Sequence, residues 1–371
     1  MTVEKVLHIL PMNQLSGAEK MALLICKHLT KYEPIVVTGG EVLKKVFEKE
    51  GIQAYSMNFS KSKFPLTLHQ LKQTIKVHQI KLIHAHDNTA TLAAYLTKRL
   101  YRLDVKIISH IHNCYPWLKK DSFNKKIDQW LRPQIDCNIA CGERVTDYYT
   151  RYASYFPLEK TAILSNTIEI SDVASEEYEI QKFKSKFGLN CKKKIIGFIG
   201  RLSEQKGLVP FIQEFAKHQQ DFADCQFLLV GTGEQEQEIN DLIKQLNLES
   251  YFILIGFQER TDLFYQLIDV FFLPSLYEGL PMAILEAMAC KVPVISMDVG
   301  SIKELLQDNC GVLIEPNCYE EFLEQLKQLK KNSSFQKQIA LNGFNHVMQN
   351  YEIKSYRTKL QEVYDEVVEM N

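Results

Sequence analysis

Short apolar, β-branched runs alternate with longer stretches of helical periodicity along the whole 371-residue chain. No other feature constrains the fold as strongly. In the first half the runs are Lys5–Leu10, Pro34–Thr38, Gln53–Met57, Lys81–His86, Val105–His112 and Ile135–Ala140. Helical segments such as GAEKMALLICKHLTK and NTATLAAYLTKRLYR lie between them. The runs do not alternate strictly between apolar and polar, as expected of parallel strands covered on both faces. Parallel neighbours need crossovers, and the helical segments supply them. The rhythm pauses over Ser171–Lys194, which is charged and lacks a strand. It resumes with KIIGFIG, CQFLLVG, YFILIG, DVFFLPS, VPVISM and GVLIEP. The chain therefore reads as α/β, with two Rossmann-like, doubly wound domains facing across a cleft. These span residues 1–168 and 169–352, and a last helix at about 353–371 is a candidate to pack back on the first. Ligands of such sheets bind outside the carboxyl ends of the strands.

Composition narrows the class. Apolar residues make up 46% and charged residues 24%, as in ordinary globular proteins. No apolar run approaches the ~18 residues that span a bilayer, and MTVEKVLHIL lacks a signal-peptide layout. Nine scattered cysteines, an odd number without a CxxC, suggest reduced thiols in a cytoplasm. The net charge of −1 conceals an asymmetry. Residues 1–168 hold 24 Lys and Arg against 14 Asp and Glu, or +10, and the remainder holds 20 against 31, or −11. A basic half suits a membrane surface, nucleic acid or a phosphate ligand, although complementary solvated faces would give the same asymmetry. Ser60–Lys81 carries Lys61, Lys63, Lys72, Lys76 and Lys81 and no acid, with a partly apolar side. It reads either as a membrane-surface segment or as a solvated helix packed on the sheet.

The stretch SLYEGLPMAILEAMACKVPV places Glu278 and Glu286 in otherwise apolar surroundings. Glu278 falls on a strand-to-helix turn, with Pro281 in the first helical turn, and Glu286 falls in the second turn of that helix. A buried carboxylate costs several kcal/mol unless hydrogen-bonded. A ligand diol such as a ribose would supply two donors; a backbone or arginine partner is the alternative. The N–H groups at the helix start suit a phosphate. In GRLSEQKG, Arg201 and Lys206 occupy a second strand-to-helix turn, where an Arg fork and a Lys point charge suit a diphosphate. LLVGTGEQ offers Gly231 and Gly233, but Glu236 stands where a dinucleotide fingerprint needs its third glycine. Gly17, after the first strand, permits close approach of a phosphate or sugar, or makes an ordinary turn. His84 and His86 share one strand face, as do His110 and His112. They read as a metal cluster or as hydrogen-bonded strand histidines, one of them lining the cleft.

These residues together resemble the retaining nucleotide-sugar glycosyltransferases of family 4, which have the GT-B fold. The E-x7-E stretch EGLPMAILE carries the resemblance, with GRLSEQKG, GAEK and HAHD, all in the expected order. The resemblance implies that Arg201 and Lys206 hold the donor diphosphate and stabilise the leaving group. It implies that Glu286 binds the ribose and that Glu278 contacts the donor sugar beside the backbone of Gly279 and Leu280. Gly231 and Gly233 would border the donor, Gly17 the phosphates, and His86 and His112 the sugar. Ser16 stands where the family often has a glycine, and no DxD motif occurs. No metal and no cofactor are expected; the nucleotide-sugar, a UDP-sugar by the weight of the family, is a substrate. The expected acceptor is lipid-linked or an oligosaccharide, in capsule, exopolysaccharide or envelope synthesis. The first domain would bind acceptor and rest on the inner face of the plasma membrane; no nucleic-acid partner is expected. A GT-B nucleotide-sugar epimerase, a dinucleotide-dependent oxidoreductase and a non-catalytic sugar-nucleotide binder are the competing readings.

Overall fold

A computed structural model describes residues 4–169, 177–190 and 192–370. Among these, thirteen strands form two sheets, and every paired strand is parallel. The first sheet contains β1 (Glu4–Leu10), β2 (Tyr32–Thr38), β3 (Gln53–Ser56), β4 (Leu82–His86), β5 (Lys106–Ile111), β6 (Cys137–Ala140) and β7 (Thr161–Ile163). Its order is β3-β2-β1-β4-β5-β6-β7. The second contains β8 (Lys194–Ile199), β9 (Cys225–Val230), β10 (Phe252–Leu254), β11 (Val270–Leu273), β12 (Val294–Met297) and β13 (Val312–Ile314). Its order is β10-β9-β8-β11-β12-β13. The chain divides into two compact units, Met1–Glu169 with Glu352–Asn371, and Ile170–Tyr351. The junction read near Ser171 lies outside the described residues.

Sequence periodicity locates twelve of the strands. It does not show β7, a three-residue edge strand with no fully buried position, too short for any period to register.

In the first unit, Leu7, Ile9, Ile83 and Ala85 pack one sheet face against the helices Phe64–Val77 and Asp87–Tyr101. Leu10 and Val36 pack the other against Gly17–His28 and Glu41–Lys49. The final helix, Ile353–Glu369, packs against Gly17–His28. Its Gln361 Oε1 accepts from the backbone N–H groups of Thr30 at 2.9 Å and Lys31 at 3.0 Å. Asp365 accepts from the Tyr32 hydroxyl at 2.8 Å and pairs with Lys31 at 2.7 Å. In the second unit phenylalanines fill the space beside β8, β9 and β11. Phe211 lies 4.8 Å from Phe272, and Phe227 lies 4.9 Å from Phe215 and 5.0 Å from Phe252.

Among the described residues no helix is long and apolar enough to cross a membrane. The eight described cysteines are all free, and Cys191 lies outside the described residues.

Replacing Gln361 with Ala removes the acceptor shared by two backbone donors. A loss of about 1–2 kcal/mol is expected, read as a lower urea midpoint; an unchanged midpoint would mean that water satisfies both donors equally well.

Candidate active site

Each sheet reverses its winding once. The first moves outward from β1 to β3, then returns to place β4 beside β1; the second does the same at β8 and β11. Crossover helices diverge at such a point and leave the carboxyl ends of the two strands uncovered. Gly17, His84, His86, Arg201, Lys206, Glu278 and Glu286 lie on or after these four strands, whereas Gly231 and Gly233 follow β9 and His110 and His112 lie at the end of β5.

In the second unit, three loops are stitched together by backbone bonds. Leu202 N donates to Thr232 O at 2.9 Å, Gln235 N to Leu202 O at 2.9 Å, and Leu276 N to Gln205 O at 2.8 Å. Gly231 and Gly233 make this approach possible. A Cβ on Gly231, whose φ is +137°, would lie 1.9 Å from Gly200 O, and one on Gly233 would lie 2.2 Å from Leu202 O. Both glycines thus join the loop after β9 to the loop after β8. A fourth loop supports the turn after β11, with Ser301 N donating to Gly279 O at 2.8 Å.

The stitched loops bring Lys206 and Glu278 together, 72 residues apart in sequence and 2.5 Å apart in space. Glu278 is 4% exposed. Its carboxylate also accepts from Ser275 Oγ at 2.7 Å and Gln205 Nε2 at 3.1 Å. Three donors therefore answer the desolvation cost of this charge. Arg201 is exposed and pairs with Glu234 at 3.0 Å. The helix carrying Glu286 runs Met282–Ala289, with Pro281 as its extended N-cap. Pro281 therefore precedes the first turn, where sequence placed it, and Gly279 and Leu280 lie in the buried turn before it. Glu286 is half-buried and accepts from the Tyr265 hydroxyl at 2.9 Å. Burial, then the neighbouring Glu286, push the Tyr265 phenol well above its usual range, so it stays a donor.

In the first unit, Gly17 opens the helix after β1 and is exposed. The preceding Ser16 turns its hydroxyl to the buried Glu19 carboxylate instead of capping the helix. Burial, with Asp87 nearby, raises Glu19 to about 7. Asp87 follows β4 with φ of 69° and accepts from the Tyr115 hydroxyl.

The paired histidines join a larger group, because β1 contributes His8, beside His84 in the register. Two chains of contacts result. His84 Nδ1 meets the Tyr364 hydroxyl at 2.6 Å, and its Nε2 meets His110 at 3.1 Å. His86 meets His8 at 3.1 Å and His112 at 3.0 Å. Two triplets, His8-His84-His86 and His86-His110-His112, have nitrogens within 4.8 Å of one another. Yet the His84 and His86 rings stack 4.4 Å apart at 10°, and the contacts pair nitrogens with nitrogens. Lone pairs lie in the ring planes, so this arrangement suits shared protons more than convergence on one ion. His86 is buried with both nitrogens engaged, and His112 is the more exposed of the two rings assigned to the sugar.

Sequence reading missed His8, Ser275, Gln205, Glu234 and Tyr265. Only His8 left a local sign, a histidine inside the otherwise apolar VLHIL.

Burial holds His8 down at about 3 and lowers His84, His86, His110 and His112 as well. The unfolded chain takes up protons below about 6.5, whereas His8, His84, His86 and His110 resist until far lower, and His112 is lowered by burial against the opposing pull of Asp87. Stability is thus unaffected by them above pH 7 and falls from 6.5 downward. His8 alone should account for about 2 kcal/mol at pH 5. Glu19, raised, acts in the opposite direction as pH falls from 7 to 4.5. His8→Leu should reduce proton uptake on unfolding by about half a proton at pH 6.5, rising to about one at pH 5. Urea midpoints against pH test this, and an unchanged slope would refute a neutral His8.

Two family models match the chain: Glycosyltransferase Family 4 over residues 15–172, and Glycosyl transferases group 1 over residues 179–346. A Bacillus subtilis glycosyltransferase, EpsF, is 28% identical over 326 residues, covering 84% of this chain and 83% of that protein. The Escherichia coli UDP-Gal:α-D-GlcNAc-diphosphoundecaprenol α-1,3-galactosyltransferase is 23% identical over 377 residues, covering 94% and 95%. Among solved structures, Anabaena HepE with UDP-glucose superposes with a TM-score of 0.85 at 21% identity, covering 98% of this chain and 99% of that one.

Proposed function

Because the chain belongs to glycosyltransferase family 4, with the GT-B fold, we propose that it transfers a sugar from a UDP-sugar to a lipid-linked or saccharide acceptor. The anomeric configuration is retained, and the product is an envelope polysaccharide. The observation that carries the reading is the group of two cations and a buried carboxylate at the β8–β11 reversal. The E. coli relative's name specifies UDP-Gal and a diphosphoundecaprenol-linked acceptor, and the HepE structure holds UDP-glucose, which support this choice.

In this reading Arg201 and Lys206 bind the donor diphosphate and offset charge that develops on the departing phosphate oxygens. Glu286 accepts from the ribose hydroxyls. Glu278 lies against the donor sugar, beside the backbone of Gly279 and Leu280, with Gly231 and Gly233 shaping the neighbouring turn. The first unit receives the acceptor, with Gly17, His86 and His112 at its β1–β4 and β5 ends. The two side-chain cations supply the charge that a metal would otherwise bring, so transfer proceeds without metal or cofactor. The enzyme works in the cytoplasm at the inner face of the plasma membrane.

Donor hydrolysis without acceptor, in EDTA and followed by proton NMR over UDP-, GDP- and ADP-sugars, tests this directly. One sugar should be released as its retained anomer. An epimerised sugar would replace transfer with epimerisation, and absence of both turnover and nucleotide binding would remove the assignment. Glu278→Gln should lower turnover about a hundredfold with donor affinity nearly kept; equal losses in both would deny it a transition-state role. Lys206→Ala should weaken UDP binding about tenfold or more, and unchanged calorimetric affinity would exclude it from the site.

A further inference from the structure

We propose that the turn Pro116–Lys119 and the helix Phe123–Leu131 form a surface that inserts into the interface of an anionic lipid bilayer. This deepens the reading above, because a lipid-linked acceptor is presented at such a surface.

The helix is held firmly from one side. Arg132, with no exposed surface, bonds Asp128 at 2.6 Å, Asn88 at 2.6 Å, Ser109 at 2.7 Å and Asn138 at 3.0 Å. Leu131 is buried beside it. That network fixes which residues face outward. Phe123 is 77% exposed and Trp130 51% exposed, with Ile127 half-buried between them. The spacing i, i+4, i+7 puts all three on one stripe. A stripe of this kind normally packs on the core, and here Leu131 and Asp128 already fill that role. Trp130 meets Tyr95 edge-on at 5.2 Å, which holds the indole in place without covering it.

Charge surrounds the stripe. Lys119, Lys120 and Lys126 are exposed, and the exposed acid of the segment, Asp121, lies 3.3 Å from Lys126. Lys119 stands over the rings of Tyr148 and Tyr152 at 5.6 and 5.5 Å. Trp, Tyr and Lys around an exposed Phe match the polarity gradient of a lipid interface, where rings sit at headgroup level and ammonium groups meet phosphates. The +10 balance of residues 1–168 adds a long-range attraction to the same anionic surface.

The lysine-rich Ser60–Lys81 segment is less suited to insertion. Leu68, Leu71 and Ile75 of its helix belong to the core under the sheet, so its apolar side is already occupied. It can contribute attraction through its lysines, and the inserting groups come from Phe123 and Trp130.

The chain's two tryptophans, Trp117 and Trp130, both lie in the proposed surface, so intrinsic fluorescence of the full chain reports on it. Phosphatidylcholine vesicles, with and without phosphatidylglycerol and with brominated acyl chains, serve as probes. A blue shift and bromine quenching with phosphatidylglycerol vesicles, weakened by salt, are expected. Phe123→Asp should reduce partitioning about tenfold, and Lys119→Glu with Lys120→Glu should do so at low salt. UDP affinity in solution should stay unchanged in both variants. Absence of quenching in the wild type overturns the proposal, as does loss of binding in Lys72→Glu/Lys76→Glu but not in Phe123→Asp. A dimer that Phe123→Asp dissociates, with vesicle partitioning unaltered, would assign the surface to a second copy instead. Failure of UDP to bind the wild type would count against the transferase reading and leave vesicle binding to stand or fall by itself.

Discussion

Right-handed crossovers between parallel strands leave the carboxyl ends of two strands in each sheet uncovered where the winding reverses, and the placement of Arg201, Lys206, Glu278 and Glu286 depends on this constraint. The carboxyl ends of β8 and β11 are neighbours only because the chain turns back there. Loops leaving them can then share backbone hydrogen bonds, and those bonds fix the register between Gln205 and Leu276. With that register set, Lys206, Gln205 and Ser275 all reach one carboxylate. A slip in the loops would strand a nearly buried charge, at a cost of several kcal/mol. The glycines after β9 belong to the same chain of causes, since a side chain at Gly231 would collide with Gly200 O and part the loops.

The first sheet meets the constraint differently. Its β1–β4 reversal gathers neutral, mutually bonded imidazoles under Tyr364 from the last helix. Polar groups fill a position that an apolar core would otherwise occupy, and they can do so only while they remain uncharged. The final helix is thereby joined to the centre of the first sheet as well as to its rim, where Gln361 and Asp365 bond.

What sequence revealed and what it hid divide along the range of the interactions. Parallel strands, their buried runs, the turns carrying Arg201, Lys206 and Glu278 and the helix carrying Glu286 are local patterns, and the structure contains each of them. The partners are not local. Nothing in SLYEGLP indicates that Lys206 answers Glu278, and nothing near Arg201 points to Glu234. His8 became part of a cluster only through strand register. The outward stripe of Phe123 and Trp130 was hidden for a related reason. Its spacing is that of an ordinary core-facing helix, and only the buried Asp128–Arg132 pair shows which side faces inward.

The Lys206–Glu278 pair carries a consequence for selectivity. If Lys206 binds the donor diphosphate as proposed, that diphosphate and Glu278 would compete for the same ammonium group, and recruiting Lys206 would release a carboxylate from its strongest partner. A ligand that brings both a diphosphate and a ring of hydroxyl groups can satisfy each member of the separated pair. A bare nucleotide satisfies one and leaves the other short of a donor. On the proposed reading the resting ion pair would work as an exchange, favouring the intact sugar conjugate over the nucleotide left once the sugar has gone, and easing departure of the spent half.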